Sequence, residues 1–251
     1  MSKIFLSVII PAYEEQRRIP STLENILSYL ANRKISFEVI VVDDGSKDRT
    51  AEIVRLFAAR ENSTGAIRVI SQSQNRGKGF SVRTGMLAAE GSYALLTDAD
   101  LSSPIQEVLK LEEAIIDDGF DLAFGSRDIQ GSRIEVHQSW FREAAGKIFN
   151  HLVRLTTGLP YHDTQCGFKL FKMDLCRDLF KRQTIAGYSF DVEILYLANK
   201  IGLRVKEVPV VWRHREGGKV FLFRDGTRGI IDLIKIRWND FRGRYALPIR
   251  G

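Results

Sequence analysis

Residues 37–46 read FEVIVVDDGS. Five of the first six are apolar, three of them valines and one an isoleucine, with no polar residue between Val39 and Val42. A half-buried strand would alternate polar and apolar, so an unbroken β-branched run predicts a strand covered on both faces. That is the habit of parallel sheets. The run stops on Asp43-Asp44-Gly45-Ser46, a turn composition. Three further runs behave alike: FLSVIIPAY ahead of it, IRVISQ after it and YALLTDAD further on. Helical spacing separates them. Ile19, Leu23, Ile26, Leu27 and Leu30 share one face of a segment with Pro20 in its first turn, DRTAEIVRLFAAR reads as a helix, and NRGKGFSVRTGMLAAEG is a glycine-rich turn feeding another. SSPIQEVLKLEEAIIDDG predicts a helix with Ser103 as N-cap and Pro104 at the first position, and FDLAFGSR a fifth strand. Strand and helix therefore alternate, and the expected fold class is α/β, an open, mostly parallel, Rossmann-like sheet flanked by helices.

Such sheets bind ligands beyond the carboxyl ends of their strands. The unusual polar clusters PAYEE, DDGS, TDAD and GSRD all fall at such ends. One edge of one sheet thus explains four oddities. In TDAD, Asp98 and Asp100 flank a small residue. Extended backbone would point both carboxylates to one face, and like charges so close need solvation, a proton or a cation. Two carboxylates suit Mg2+ or Mn2+, whose remaining ligands come from water and substrate phosphates. A plain solvated turn is the competing reading. Likewise Asp43 and Asp44 could cap the next helix, and Lys78 could be an ordinary surface lysine.

The chain has 251 residues, 44% hydrophobic and 27% charged, which excludes a disordered or fibrous chain. Its two cysteines, Cys166 and Cys176, offer neither a zinc site nor a disulfide framework, and a reducing, cytoplasmic setting is expected. No uncharged run approaches the roughly 18 to 20 apolar residues of a membrane span. GKGFSVRTG lacks the third glycine of a dinucleotide fingerprint, which would stand at Val82. No G-x-x-x-x-G-K-[ST] or G-x-S-x-G occurs. Residues 1–125 hold 14 Lys and Arg against 18 Asp and Glu, a net of −4. Residues 126–251 hold 23 against 13, a net of +10. A basic half invites an anionic partner: a phosphorylated substrate, an anionic membrane or nucleic acid.

SVIIPAYEE, VIVVDDGSKDRT, NRGKG, LLTDADLSSP and GSRD, in this order, resemble the family 2 glycosyltransferases of the A-type fold. DTQCGFKLF, FDVEILY and EGGK narrow the resemblance to the polyprenyl-phosphate branch, the dolichyl-phosphate gluco- and mannosyltransferases. It covers about residues 4–220. It implies one glycosyltransferase domain over 1–251, with a nucleotide-sugar-binding half at 1–125 and a basic acceptor-binding half at 126–251. The reaction implied is the metal-dependent, inverting transfer of a hexose, from UDP-glucose or GDP-mannose, to a polyprenyl phosphate, as in protein glycosylation. Pro11, Tyr13 and Glu15 would line the nucleobase pocket, Asp43 and Asp44 hold base and ribose, and Lys78 approach the nucleotide. Asp98 and Asp100 would hold Mg2+ or Mn2+ on the diphosphate. The mannosyl relatives carry a glutamine where this chain has Ser102, which leaves Ser102 or water as the third ligand. Arg127, Arg142, Arg215 and Lys219 fall at or near the acceptor-phosphate positions.

A phosphate acceptor is already an anion and needs no general base; a hydroxyl acceptor needs one. For a hydroxyl acceptor, as in polysaccharide synthesis, Asp191 in FDVEIL is the first candidate base, and Asp163 is weighed with it. A non-catalytic basic module for membrane or nucleic acid is the rival from another class. GIIDLIKIRWNDFRGRY closes the chain as an apolar-basic helix. It either packs on the domain or lies on an anionic leaflet, which would make the protein peripheral at the cytoplasmic face of a membrane.

Overall fold

The computed structural model describes residues 4–60, 66–215 and 222–246. The FEVIVVD run forms strand β2 (Phe37–Asp43), buried at every position, and β1 (Leu6–Ala12) is equally buried beside it. They pair in parallel from Leu6 opposite Phe37 to Ala12 opposite Asp43. Their side chains divide with period two. Ile9, Ile40 and Val42 join the core on one face, and Val8, Ile10, Val39 and Val41 that on the other. Each such side chain contributes roughly 1.5–3 kcal/mol on burial. Both faces must therefore be covered, and they are. Helices α1 (Ile19–Asn32) and α2 (Thr50–Arg60) lie on one side; α3 (Lys78–Ala88) lies on the other. In α1 the buried apolar stripe is Ile19, Leu23, Ile26, Leu27 and Leu30, the five residues the spacing selects, and Thr22 is buried beside them.

The sheet has seven strands in the order β3-β2-β1-β4-β7-β5-β8. Its remaining members are β3 (Ala66–Ser71), β4 (Tyr93–Leu96), β5 (Leu122–Ser126), β7 (Lys169–Lys172) and β8 (Val205–Pro209). Only β7 runs against its neighbours, pairing antiparallel with both β4 and β5. A separate parallel pair joins β6 (Arg133–Val136) to β9 (Val211–Arg213). Because β7 is reversed, it begins where β4 ends: Lys169 faces Leu96. The loop ahead of β7 is thereby delivered to the ligand-binding edge.

The segment after β4 departs from expectation. It starts as a 3-10 turn (Ile105–Glu107), becomes a short α4 (Val108–Glu112) and ends as a π-turn (Glu113–Asp117). Pro104 takes the cap position and no side chain caps it, so Ser103 is not the N-cap. Downstream, α5 (Trp140–Thr157) ends on Gly158 in the left-handed conformation, and α6 (Met173–Arg182), α7 (Phe190–Lys200) and α8 (Leu222–Phe241) complete the chain. α8 packs against α5 where Gly229 meets the Phe149 ring: a Cβ on Gly229 would come within 2.6 Å of it. Among the described residues, no helix is long and apolar enough to cross a membrane.

Candidate active site

The strand order turns at β1 and β4: the chain goes from β1 to β2 towards one edge of the sheet and from β4 to β5 towards the other, and ligands are expected at that switch. A cavity of about 670 Å3 opens there, within the range of small-molecule sites. Pro11 near the end of β1, Tyr13, Glu14 and Glu15 after it, Asp44 after β2, Gly77 and Lys78 at the start of α3, and Asp98 and Asp100 after β4 line it. Most of the residues expected to bind the nucleotide sugar are therefore brought together. Asp43 lies beneath them, 3% exposed, where its carboxylate accepts from the Ser46 amide.

Asp44 has a task the sequence did not reveal. Its carboxylate accepts the Arg76 and Gly77 amides at 2.8 and 2.9 Å, tying the glycine-rich turn to β2. Burial raises its pKa and those two bonds oppose the shift. Neither aspartate caps α2; Asp48 does, through the Thr50 amide and hydroxyl. Gly77, at φ 101°, lies so close to the Ala186 carbonyl that a Cβ would overlap it, and any side chain there would push Lys78 out of place.

Asp98 and Asp100 do not sit in extended backbone. β4 ends at Leu96, and the Leu101 amide closes a turn onto the Asp98 carbonyl at 3.1 Å, with Leu101 at φ 47°. The two carboxylates reach the cavity from that turn rather than from strand alternation. Asp98 meets the Lys78 ammonium at 2.6 Å, and both side chains remain open to the cavity, 34% and 21% exposed. On its other side stands Gly167, whose missing Cβ leaves room for the Asp98 carboxylate. Burial favours a neutral Asp98, but Lys78, with Lys169 and Arg127 beyond it, more than reverses this and holds its pKa below the usual range. Asp100 is pushed the other way, by burial first and by Asp98 next, while Ser102 opposes the rise. The Ser102 amide donates to Asp100 at 2.9 Å, and Arg18 stands 4.0 Å from it. Among the described residues no three His, Cys, Asp or Glu side chains gather as a metal cage. The donor set is two hard carboxylates facing open space. It fits a Mg2+ or Mn2+ ion that draws its other ligands from a bound diphosphate and water.

The two candidate bases are committed elsewhere. Asp191 lies 2.7 Å from the ammonium of Lys169, both side chains 4% exposed or less. Burial raises its pKa, opposed first by Lys169. Lys169 also donates to the carbonyls of Thr164 and Cys166, so one buried ammonium gathers the loop before β7. Asp163 is held by Arg127 through two side-chain bonds of 2.6 and 2.7 Å and by its amide at 3.0 Å. Arg127 also lies over the Trp212 ring. Arg142 is half-buried on α5, Arg215 is exposed beyond β9, and neither belongs to the cavity lining. Lys219 lies outside the described residues. The sequence reading missed Tyr188 and Ser189 before α7 and Asp225, Arg228 and Asp232 on α8, which form the far wall. The signal available was Asp232, a lone carboxylate inside the apolar run GIIDLI.

The glycosyl transferase family 2 model matches residues 7–180. The dolichyl-phosphate beta-glucosyltransferase of Dictyostelium discoideum is 36% identical over 99% of this chain and 77% of its own length. The human protein of that name is 34% identical over 96% and 78%, and that of Drosophila melanogaster 39% over 87% and 70%. Among solved structures, glucosyl-3-phosphoglycerate synthase from Mycobacterium tuberculosis, in complex with Mn2+, UDP-glucose and phosphoglyceric acid, superposes with a TM-score of 0.64. It shares 19% identity over 93% of this chain and 79% of that one. Mannosyl-3-phosphoglycerate synthase from Rubrobacter xylanophilus reaches 0.66 at 16% identity, over 99% and 77%. These neighbours share the A-type fold. With its matching motifs set around one cavity, the chain belongs to glycosyl transferase family 2 and is a glycosyltransferase.

Proposed function

We propose that this glycosyltransferase moves glucose from UDP-glucose to a dolichyl-type polyprenyl phosphate, with inversion at the anomeric carbon. One observation carries the choice of acceptor. Both carboxylates that the sequence nominates as a base for a hydroxyl acceptor are held in ion pairs, Asp191 with Lys169 and Asp163 with Arg127. A phosphate oxygen needs no such base. It attacks C1 of the sugar, the bond from C1 to the diphosphate oxygen breaks, and the electron pair leaves with UDP. The relatives named above act on dolichyl phosphate by name, and a related fold binds UDP-glucose with Mn2+.

In this reading Tyr13 and Asp44 frame the nucleoside, and Lys78 faces the diphosphate from the glycine-rich turn. Asp98 and Asp100 would hold Mg2+ or Mn2+, which when bound supplies positive charge to the diphosphate. Arg127, paired with Asp163 and outside the cavity lining, is a candidate for the acceptor phosphate together with Arg142, Arg215 and Lys219. The acceptor's lipid tail calls for a membrane, and two helices offer it a face. α5 exposes Trp140, Phe141, Ile148 and Leu155, and α8 exposes Ile230, Ile231, Ile234, Trp238 and Phe241, with Arg242 over the Trp238 ring. Basic residues around apolar ones match an anionic leaflet. Purified protein should transfer glucose from UDP-glucose to dolichyl phosphate in the presence of Mn2+, and far less mannose from GDP-mannose. Transfer to a soluble glycan hydroxyl, with none to the lipid phosphate, would overturn the acceptor assignment.

A further inference from the structure

Glu193 is the most heavily used buried carboxylate outside the cavity. It lies on α7 at 0% exposure. It accepts the Thr184 amide at 2.9 Å, the Thr184 hydroxyl at 2.6 Å and the Ile185 amide at 2.8 Å. Its remaining partner comes from beyond α8: the Tyr245 hydroxyl donates to it at 2.5 Å. Tyr245 is itself 0% exposed, and Asn239 of α8 donates to both the Tyr245 and Thr184 oxygens, at 3.3 and 3.0 Å. The segment held by this node is a wall of the cavity. The Ala186 carbonyl accepts the Phe80 amide of α3, Gln183 donates to the Gly79 carbonyl, and Gly187, Tyr188 and Ser189 line the space opposite Lys78.

We propose that Tyr245 is a positioning residue for the donor cavity. It completes the shell of Glu193, which fixes residues 184–189 against the Gly77-Lys78 turn. The inference rests on the reading of that cavity as the nucleotide-sugar site. Its mechanism is geometric. Removing the hydroxyl leaves a buried carboxylate oxygen short of a partner and frees Asn239 from one acceptor. The amides of Thr184 and Ile185 then lose part of their anchor, and the wall that Gly187 to Ser189 supply loosens.

Tyr196 serves as the control. Its ring is 6.4 Å from that of Tyr245, and its hydroxyl also joins α7 to α8, through Asp240 at 2.6 Å and Arg237 at 2.8 Å. Its bonds do not reach the 184–189 segment. In the full chain, Tyr245→Phe should weaken UDP binding in the presence of Mn2+ by about five- to tenfold, the loss of part of one charged hydrogen bond. The Thr184 and Ile185 amides should exchange faster with solvent, while KM for the lipid phosphate stays unchanged. Tyr196→Phe should lower thermal stability comparably and leave UDP binding and those two amides as they were. Thr184→Val, which breaks the same node from the wall side with little change of shape, should repeat the Tyr245→Phe result if that variant folds poorly. Unchanged UDP affinity in Tyr245→Phe and Thr184→Val, or an equal loss in Tyr196→Phe, would overturn the inference. Failure of the wild-type chain to bind UDP at all would remove the nucleotide-sugar reading, and this role for Tyr245 with it.

Discussion

Asp98 and Asp191 are both acids paired with a lysine, yet their surroundings assign them different work. The Asp98 carboxylate is one-third exposed to the cavity, and its lysine partner is exposed with it. A ligand can reach the pair and rearrange it. Asp191 and Lys169 are sealed. Asp98→Asn and Asp100→Asn should therefore each cut divalent-dependent transfer by roughly 100-fold or more while leaving the fold intact. Asp191→Asn should instead strand the Lys169 ammonium in the core, at a cost of about 3–5 kcal/mol. Urea denaturation would register that cost, and turnover per folded molecule should fall less than in Asp98→Asn. Wild-type stability together with a loss on the order of 100- to 10,000-fold would mark Asp191 as a base after all. The carboxylates were legible in the sequence as residue types and spacing. Lys169 was not, because a lysine beside an apolar strand reads as a surface residue until three buried acceptors are seen around it.

At the scale of elements, α8 has two jobs on two faces. Leu233, Ile236 and Asn239 turn inward, while Asp225, Arg228 and Asp232 reach the cavity. The opposite face is apolar, with Ile234 63% and Trp238 53% exposed. The alternatives of packing on the domain and lying on a leaflet are thus compatible, since each uses a different stripe. The double variant Ile234→Glu with Trp238→Glu should weaken sedimentation with anionic vesicles by at least about tenfold, losing two anchors of roughly 1.5–3 kcal/mol each. Its melting temperature should match wild type. Residual binding should vanish in high salt, where only basic residues worth about 1 kcal/mol apiece remain. Equal binding by variant and wild type would dismiss α8 as the docking face. The longer elements were legible because several turns of period 3.6, or an unbroken β-branched run, outweigh local noise. β7, with four residues, is too short to show a period; the sequence reads DTQCGFKLF as a loop running into a strand-like stretch, which is where β7 lies, but nothing in it gives the strand's reversed direction. α6 was readable from Met173, Cys176, Leu179 and Phe180, all buried on one face, but the sequence reading passed over it.

For the whole molecule, the decisive feature is the reversed β7, inserted in the sheet between β4 and β5. The acidic and basic halves are interleaved: β7, from the basic half, stands between β4 and β5, both from the acidic half apart from the final residue of β5. No composition shift could announce this, because strand neighbours are chosen by pairing rather than by chain order. The arrangement also sets a timetable for synthesis. When β4 emerges from the ribosome its one available neighbour is β1, and its other edge, ending in Leu95 and Leu96, stays open until Lys169 and Leu170 arrive. At roughly 5–20 residues per second that wait lasts on the order of 10 s. An open apolar edge is a template for pairing with another chain. Nascent chains halted just before β7 should therefore be captured by holdase chaperones, and released chains ending there should aggregate. Chains halted after β8, which covers the other edge of β5, should do neither, and equal capture at both points would show that β7 does not close the sheet during translation.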